Sequence, residues 1–135
     1  MSYAQMAIVR AYSSKVRILC AREILNSIRE SVHSELCYAV EALGLSDYFE
    51  CGSNYIKCKT TGSEIIYAGL YRNLDNLKGL GRINICWIDE AESVSEASYT
   101  KLIPSIRSDD SEIWVTWNPE RTDSATRNRF IINPP

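Results

Sequence analysis

The chain has 135 residues, and its 15 lysines and arginines against 17 aspartates and glutamates give a net charge of −2. That balance leaves no polybasic footprint that would by itself announce nucleic-acid binding. An apolar share of 45% suits one globular unit, no apolar run approaches the ~20 residues that span a bilayer, and Gln5 and Arg10 interrupt the N-terminus where a signal peptide needs an apolar core.

Residues 2–12 read as a helix with Ala4, Ala7, Ile8 and Ala11 on one face. Residues 16–20 form a short strand. The stretch 23–43 carries Ile24, Ile28, Val32, Leu36, Ala39, Val40 and Leu43 at helical spacing, a long amphipathic helix stopped by Gly44. Residues 48–51, 55–59 and 64–67 are short strands around glycine-containing turns, a local antiparallel meander in a chain otherwise of βαβ type. A helical piece over 70–77 ends at Lys78-Gly79-Leu80-Gly81.

The next run, Ile83-Asn84-Ile85-Cys86-Trp87-Ile88, ends abruptly in Asp89-Glu90. Near-continuous apolar residues mark a buried strand of a parallel sheet. Ligands of open α/β sheets sit just beyond the carboxyl ends of the strands, so Asp89 and Glu90 stand where a substrate would be. Two adjacent carboxylates suit nucleotide hydrolysis: one holds Mg²⁺, and the next orients or deprotonates the attacking water. A strand running into solvent can end the same way, and the motif alone leaves both readings open.

A companion run favours the first. After a helix over 95–106 and a polar turn over 108–111 comes Ile113-Trp114-Val115-Thr116-Trp117, stopped by Asn118-Pro119 because proline cannot donate to a ladder. Thr116 and Asn118 are left at the same edge as the carboxylates. Their hydroxyl and amide can hydrogen-bond a phosphate oxygen or the attacking water. Beyond them residues 120–128 are polar, and Phe130-Ile131-Ile132 looks like a strand cut short by Asn133-Pro134-Pro135.

Other candidates weigh less. Glu92 reads as a helix-start charge favoured by the macrodipole rather than a second metal ligand. Arg22, directly after a strand, could reach phosphate or DNA, or be an ordinary helix-start residue. Arg107, Arg121, Arg127 and Arg129 read as a solvated face in preference to a trans-acting arginine or a DNA contact. Trp87, Trp114 and Trp117 read as core packing. The odd number of cysteines (Cys20, Cys37, Cys51, Cys58, Cys86), without a C-x-x-C, and the single His33 favour reduced thiols over a zinc site or disulfide framework.

Together, Ile85-Cys86-Trp87-Ile88-Asp89-Glu90-Ala91-Glu92 and Glu112-Ile113-Trp114-Val115-Thr116-Trp117-Asn118-Pro119 resemble the large terminase subunit of tailed bacteriophages. Similar to that family too are Arg17-Ile18-Leu19-Cys20-Ala21-Arg22-Glu23, Asn26-Ser27-Ile28, Ser31-Val32-His33, Gly62-Ser63-Glu64-Ile65-Ile66-Tyr67-Ala68-Gly69-Leu70 and Leu102-Ile103-Pro104-Ser105-Ile106-Arg107. The resemblance runs from about Ser2 to Pro134. It implies an α/β P-loop NTPase fold of the ASCE/RecA-like kind, a mostly parallel sheet flanked by helices with a small antiparallel meander around 48–67.

The resemblance further implies an ATP-driven motor that moves double-stranded DNA into a capsid, with Mg²⁺ and ATP as cofactors. Its partners would be the portal protein, the small terminase subunit and further copies of itself in a ring, in the bacterial host cytoplasm and with no membrane. Asp89 and Ser2 would hold Mg²⁺, Glu90 would be the catalytic carboxylate, and Thr116, Asn118 and Ser2 would sense the nucleotide and its phosphate. Ser2 falls on the hydroxyl that follows the phosphate-loop lysine, and Met1 on the lysine itself. The glycine-rich loop and its strand have no counterpart here, nor has the C-terminal nuclease domain. Residues 1–135 are therefore expected to be a partial ATPase domain carrying half an ATP site, inactive alone, with an open edge along 113–117. The alternatives are a non-catalytic prophage remnant serving as an interaction module and a helicase-like ATPase piece.

Overall fold

A computed structural model describes residues 2–23, 31–70, 81–106 and 111–116. Ser2 opens the first helix, α1 (Tyr3–Ser13), with a capping box. Its hydroxyl accepts from the Gln5 N–H at 3.1 Å, and the Gln5 side chain accepts from the Ser2 N–H at 3.0 Å, so two donors that the first turn would orphan are paired. Ala4, Ala7, Ile8 and Ala11 are buried, as the helical spacing requires. Three alanines on that face keep α1 close to what it covers.

What α1 covers is a six-stranded sheet. In chain order its strands are β1 (Arg17–Arg22), β2 (Phe49–Cys51), β3 (Ile56–Cys58), β4 (Glu64–Gly69), β5 (Ile85–Ile88) and β6 (Glu112–Val115); in space they run β2-β3-β4-β1-β5-β6. β4, β1, β5 and β6 are mutually parallel, while β2, β3 and β4 form the expected antiparallel meander. Among the described residues the other α-helices are α2 (Val32–Ala42) and α3 (Glu96–Ile106).

Two apolar layers sandwich the central strands. On one face Ile18, Cys20, Ile65, Ile85 and Trp87 meet α1 and the buried side of α2, Val32, Leu36, Ala39 and Val40. On the other, Leu19, Ala21, Cys86 and Ile88 meet Tyr99, Leu102 and Ile106 of α3. β1 and β5 are covered on both faces, which is why they read as unbroken apolar runs. The αL glycine expected after α2 is Gly44, at φ 73°. No described helix is long and apolar enough to cross a membrane.

The sequence expectations shift at the end of β1 and at the start of the helix that follows. β1 continues past Cys20 to Arg22, because Ala21 and Arg22 still pair with Ala68 and Gly69 of β4. Glu23 is a bend, not the start of a helix; its carboxylate instead accepts from the Ser95 N–H and the Ser98 hydroxyl at the head of α3, at 3.2 and 3.1 Å. The expected long helix is present as α2, and the expected helix over 70–77 is described only at Leu70; residues 24–30 and 71–80 lie outside the described set.

One buried hydroxyl ties the end of α1 to the start of β1. Ser63, 1% exposed, accepts from the Val16 N–H at 2.9 Å and lies 2.8 and 2.7 Å from the carbonyls of Ala11 and Ser14. Ser63→Ala strands the Val16 N–H, so stability should fall by about 1–3 kcal/mol. Chemical denaturation checks this: a lower midpoint with unchanged slope is expected, and an unchanged midpoint would deny the hydroxyl its role.

Candidate active site

The site is built by strand register. The last ladder partners are Ala21 with Ile88 across β1 and β5, and Ile88 with Val115 across β5 and β6. One residue further along each strand stand Arg22, Asp89 and Thr116. The backbone carries them on together: the Asp89 N–H donates to Ala21 O at 2.9 Å, and the Thr116 N–H to Ile88 O at 3.0 Å. Side chains alternate along a strand, so all three lie on the face shared by Cys20, Trp87 and Trp114, the face covered by α1.

Arg22, 7% exposed, is the electrostatic centre. Its Nε and Nη2 both donate to Asp89 Oδ2, at 2.9 and 2.5 Å, and its Nη1 stands 3.5 Å from Glu90 Oε2. Because both bonds fall on one oxygen, Oδ1 is left for the Thr116 hydroxyl, which donates at 2.8 Å. Each oxygen of Asp89 thus has a donor, as a carboxylate with only 19% of its side chain exposed must. One guanidinium faces two carboxylates. Among the described residues this leaves a net negative charge on hard oxygen atoms, the donor chemistry that suits a divalent cation such as Mg²⁺.

Glu90 is held in a conformation that side chains other than glycine avoid. At φ 49° and ψ 48° it is the one left-handed non-glycine residue among those described, at a cost of about 1–2 kcal/mol. The turn is fixed from both sides: the Ala91 N–H donates to Thr116 O at 2.9 Å and the Ser93 N–H to Glu90 O at 2.9 Å. The result is a short 3₁₀ turn, Ala91–Ser93, with the Glu90 side chain 52% exposed beside Arg22. Strain of this kind collects at functional positions.

The structure therefore brings Asp89, Glu90, Thr116 and Arg22 together. Arg22 is engaged by the carboxylates and shielded from solvent. Ser2 caps α1, its hydroxyl taken by Gln5. Asn118 lies outside the described residues, as do Arg107, Arg121, Arg127, Arg129 and Trp117, and Glu92 belongs to the 3₁₀ turn. Cys20 and Cys86, beneath the site, are fully buried; burial raises both thiols, Cys86 to about 12, so neither supplies a thiolate at neutral pH. All five cysteines are free thiols. Two contributors escape sequence reading: the Glu23 carboxylate that seats α3, and the Trp87 indole behind Thr116.

A mostly parallel, helix-flanked sheet with carboxylates at the carboxyl end of a central strand defines the class, a P-loop-like α/β ATPase fold. The family model for the phage terminase large subunit matches residues 1–134, and the chain belongs to that family. Among solved structures, the large terminase of a thermophilic bacteriophage superposes with TM-score 0.70 at 14% identity, over 93% of this chain and 34% of that one. The same protein in complex with ATP-gamma-S gives TM-score 0.63 at 12% identity, over 97% and 33%. The bacteriophage HK97 large terminase gives 0.56 at 11% identity, over 84% and 25%. At these identities the likeness is one of fold, and the chain spans about a third or less of those proteins. No curated protein sequence matches it.

If the left-handed turn is strained, Glu90→Gly should relieve it. The variant is expected to be as stable as the parent or up to ~1 kcal/mol more so, while Glu90→Ala, which loses the same carboxylate but keeps the strain, should gain nothing. Thermal melts of the two decide it. A glycine variant less stable than the alanine variant would contradict the reading.

Proposed function

We propose that this chain is the carboxylate-bearing part of the ATPase of a phage DNA-packaging motor, acting on Mg²⁺-ATP and, in the whole motor, on double-stranded DNA. Support comes from family membership together with the row Arg22–Asp89–Thr116 and the strained Glu90 beside it. Asp89 and the Thr116 hydroxyl are the oxygen groups that would hold Mg²⁺, and bound there the ion would draw charge off the transferring phosphoryl group. Glu90, exposed and adjacent, accepts the proton of the attacking water. Arg22 holds and orients both carboxylates. Thr116 and Asn118 register whether the phosphate is present, and Ser2 heads the helix whose N-terminus faces it. The portal protein, the small terminase subunit and further copies of the motor are the partners this reading brings with it.

Phosphoryl transfer depends on positioning and electrostatic stabilisation, and the backbone cradle and lysine that supply much of it elsewhere are not among these 135 residues. The 135-residue chain is therefore expected to show no ATP hydrolysis above buffer. With a phosphate-loop segment joined ahead of Ser2, turnover should appear. In that background Glu90→Gln should retain nucleotide and lose hydrolysis by ~100-fold or more, and Asp89→Asn should weaken Mg²⁺-dependent binding. Equal turnover by the parent and Glu90→Gln would assign the catalytic carboxylate elsewhere.

A further inference from the structure

Trp87 is 3% exposed, and on packing grounds it is a core residue of β5. Its indole N–H nevertheless has a specific partner, the Thr116 Oγ1 at 3.2 Å. The same Oγ1 lies 2.8 Å from Asp89 Oδ1 and 3.5 Å from Ile88 O. Donor and acceptor chemistry then sets the direction of the chain. An indole N–H only donates and an ionised carboxylate only accepts, so the hydroxyl between them receives from Trp87 and gives its one proton onward, to the nearer acceptor. Hydrogen bonds linked in this way polarise one another.

The ring that supplies the donor is itself clamped. Tyr3, in the first turn of α1, stacks on Trp87 with centroids 6.0 Å apart and planes 23° from parallel, and touches Trp114 at 6.0 Å and 58°. Tyr3 is next to Ser2, the N-cap of α1. The helix N-terminus is thus joined to Asp89 through Tyr3, Trp87 and Thr116.

We propose that Trp87 is a positioning residue, whose indole N–H orients the Thr116 hydroxyl as a donor to Asp89 and couples that carboxylate to the N-terminus of α1. The relay itself stands on hydrogen-bond geometry; its use in cation binding rests on the function proposed above. Phenylalanine at 87 would fill most of the same space without turning the hydroxyl.

The test uses the indole proton as reporter. The chain has three tryptophans, and the ¹⁵N–¹H indole signal missing in Trp87→Phe identifies that of Trp87. In the parent this proton should be shifted downfield and exchange slowly with solvent. Thr116→Val, which keeps shape and removes the acceptor, should move the signal upfield and speed exchange by about fivefold, the equivalent of one ordinary hydrogen bond. Thr116→Ser should restore both, and Asp89→Ala, two links away, should shift the signal in the same sense as Thr116→Val. An indole signal indifferent to Thr116→Val and to Asp89→Ala would overturn the relay and leave Trp87 as packing alone. Added Mg²⁺ separates the two claims. If the relay variants behave as expected but Mg²⁺ moves no signal in the parent, the relay stands and the cation reading falls.

Discussion

Everything at this site follows from three parallel strands ending in step. β1, β5 and β6 are paired so that Arg22, Asp89 and Thr116 each emerge one residue past the last ladder partner, on the same face. A shift of one residue in any strand would turn its side chain to the opposite layer, among Leu102 and Ile106. That register is held by the apolar layers on both faces of the sheet. The core is therefore what sets the distance between the guanidinium and the carboxylate.

The electrostatic consequences are double-edged. Arg22 and Asp89 are both largely withdrawn from water, at 9% and 19% side-chain exposure, and a buried pair recovers in mutual attraction little more than its desolvation costs. Removing one partner is a different matter, since the other is left charged without compensation. The arrangement contributes specificity of placement more than net stability: Asp89 has one oxygen fixed by Arg22 and the other by Thr116, and Glu90 is turned outward by a backbone conformation that a simple loop would avoid. A site pinned in this way has little conformational freedom left to lose on binding.

Much of this was legible in the chain. The burial of Ala4, Ala7, Ile8 and Ala11, and of Val32, Leu36, Ala39 and Val40, follows from helical spacing, and the end of β5 at Ile88, just before Asp89, follows from an apolar run meeting charge. Thr116 could be placed at the same edge because proline closes the run soon after. The partners of Arg22 could not be read, since they depend on which strands lie beside β1, and Asp89 is 67 residues away. The same holds for Glu23, whose side chain caps a helix 72 residues on. Trp87 is core, as its place in an apolar strand implies, but spacing says nothing of where an indole N–H points.

In the function proposed above, Asp89, held between Arg22 and Thr116, is the carboxylate that takes the divalent cation. Paramagnetic broadening by Mn²⁺ measures this without any need for turnover. With millimolar Mn²⁺ and ADP, the backbone amide signals lost first should be those of Asp89, Glu90 and Ala91, followed by Thr116, and Asp89→Asn should abolish the pattern. Broadening centred away from the carboxyl ends of β5 and β6, or the same pattern in Asp89→Asn, would contradict it.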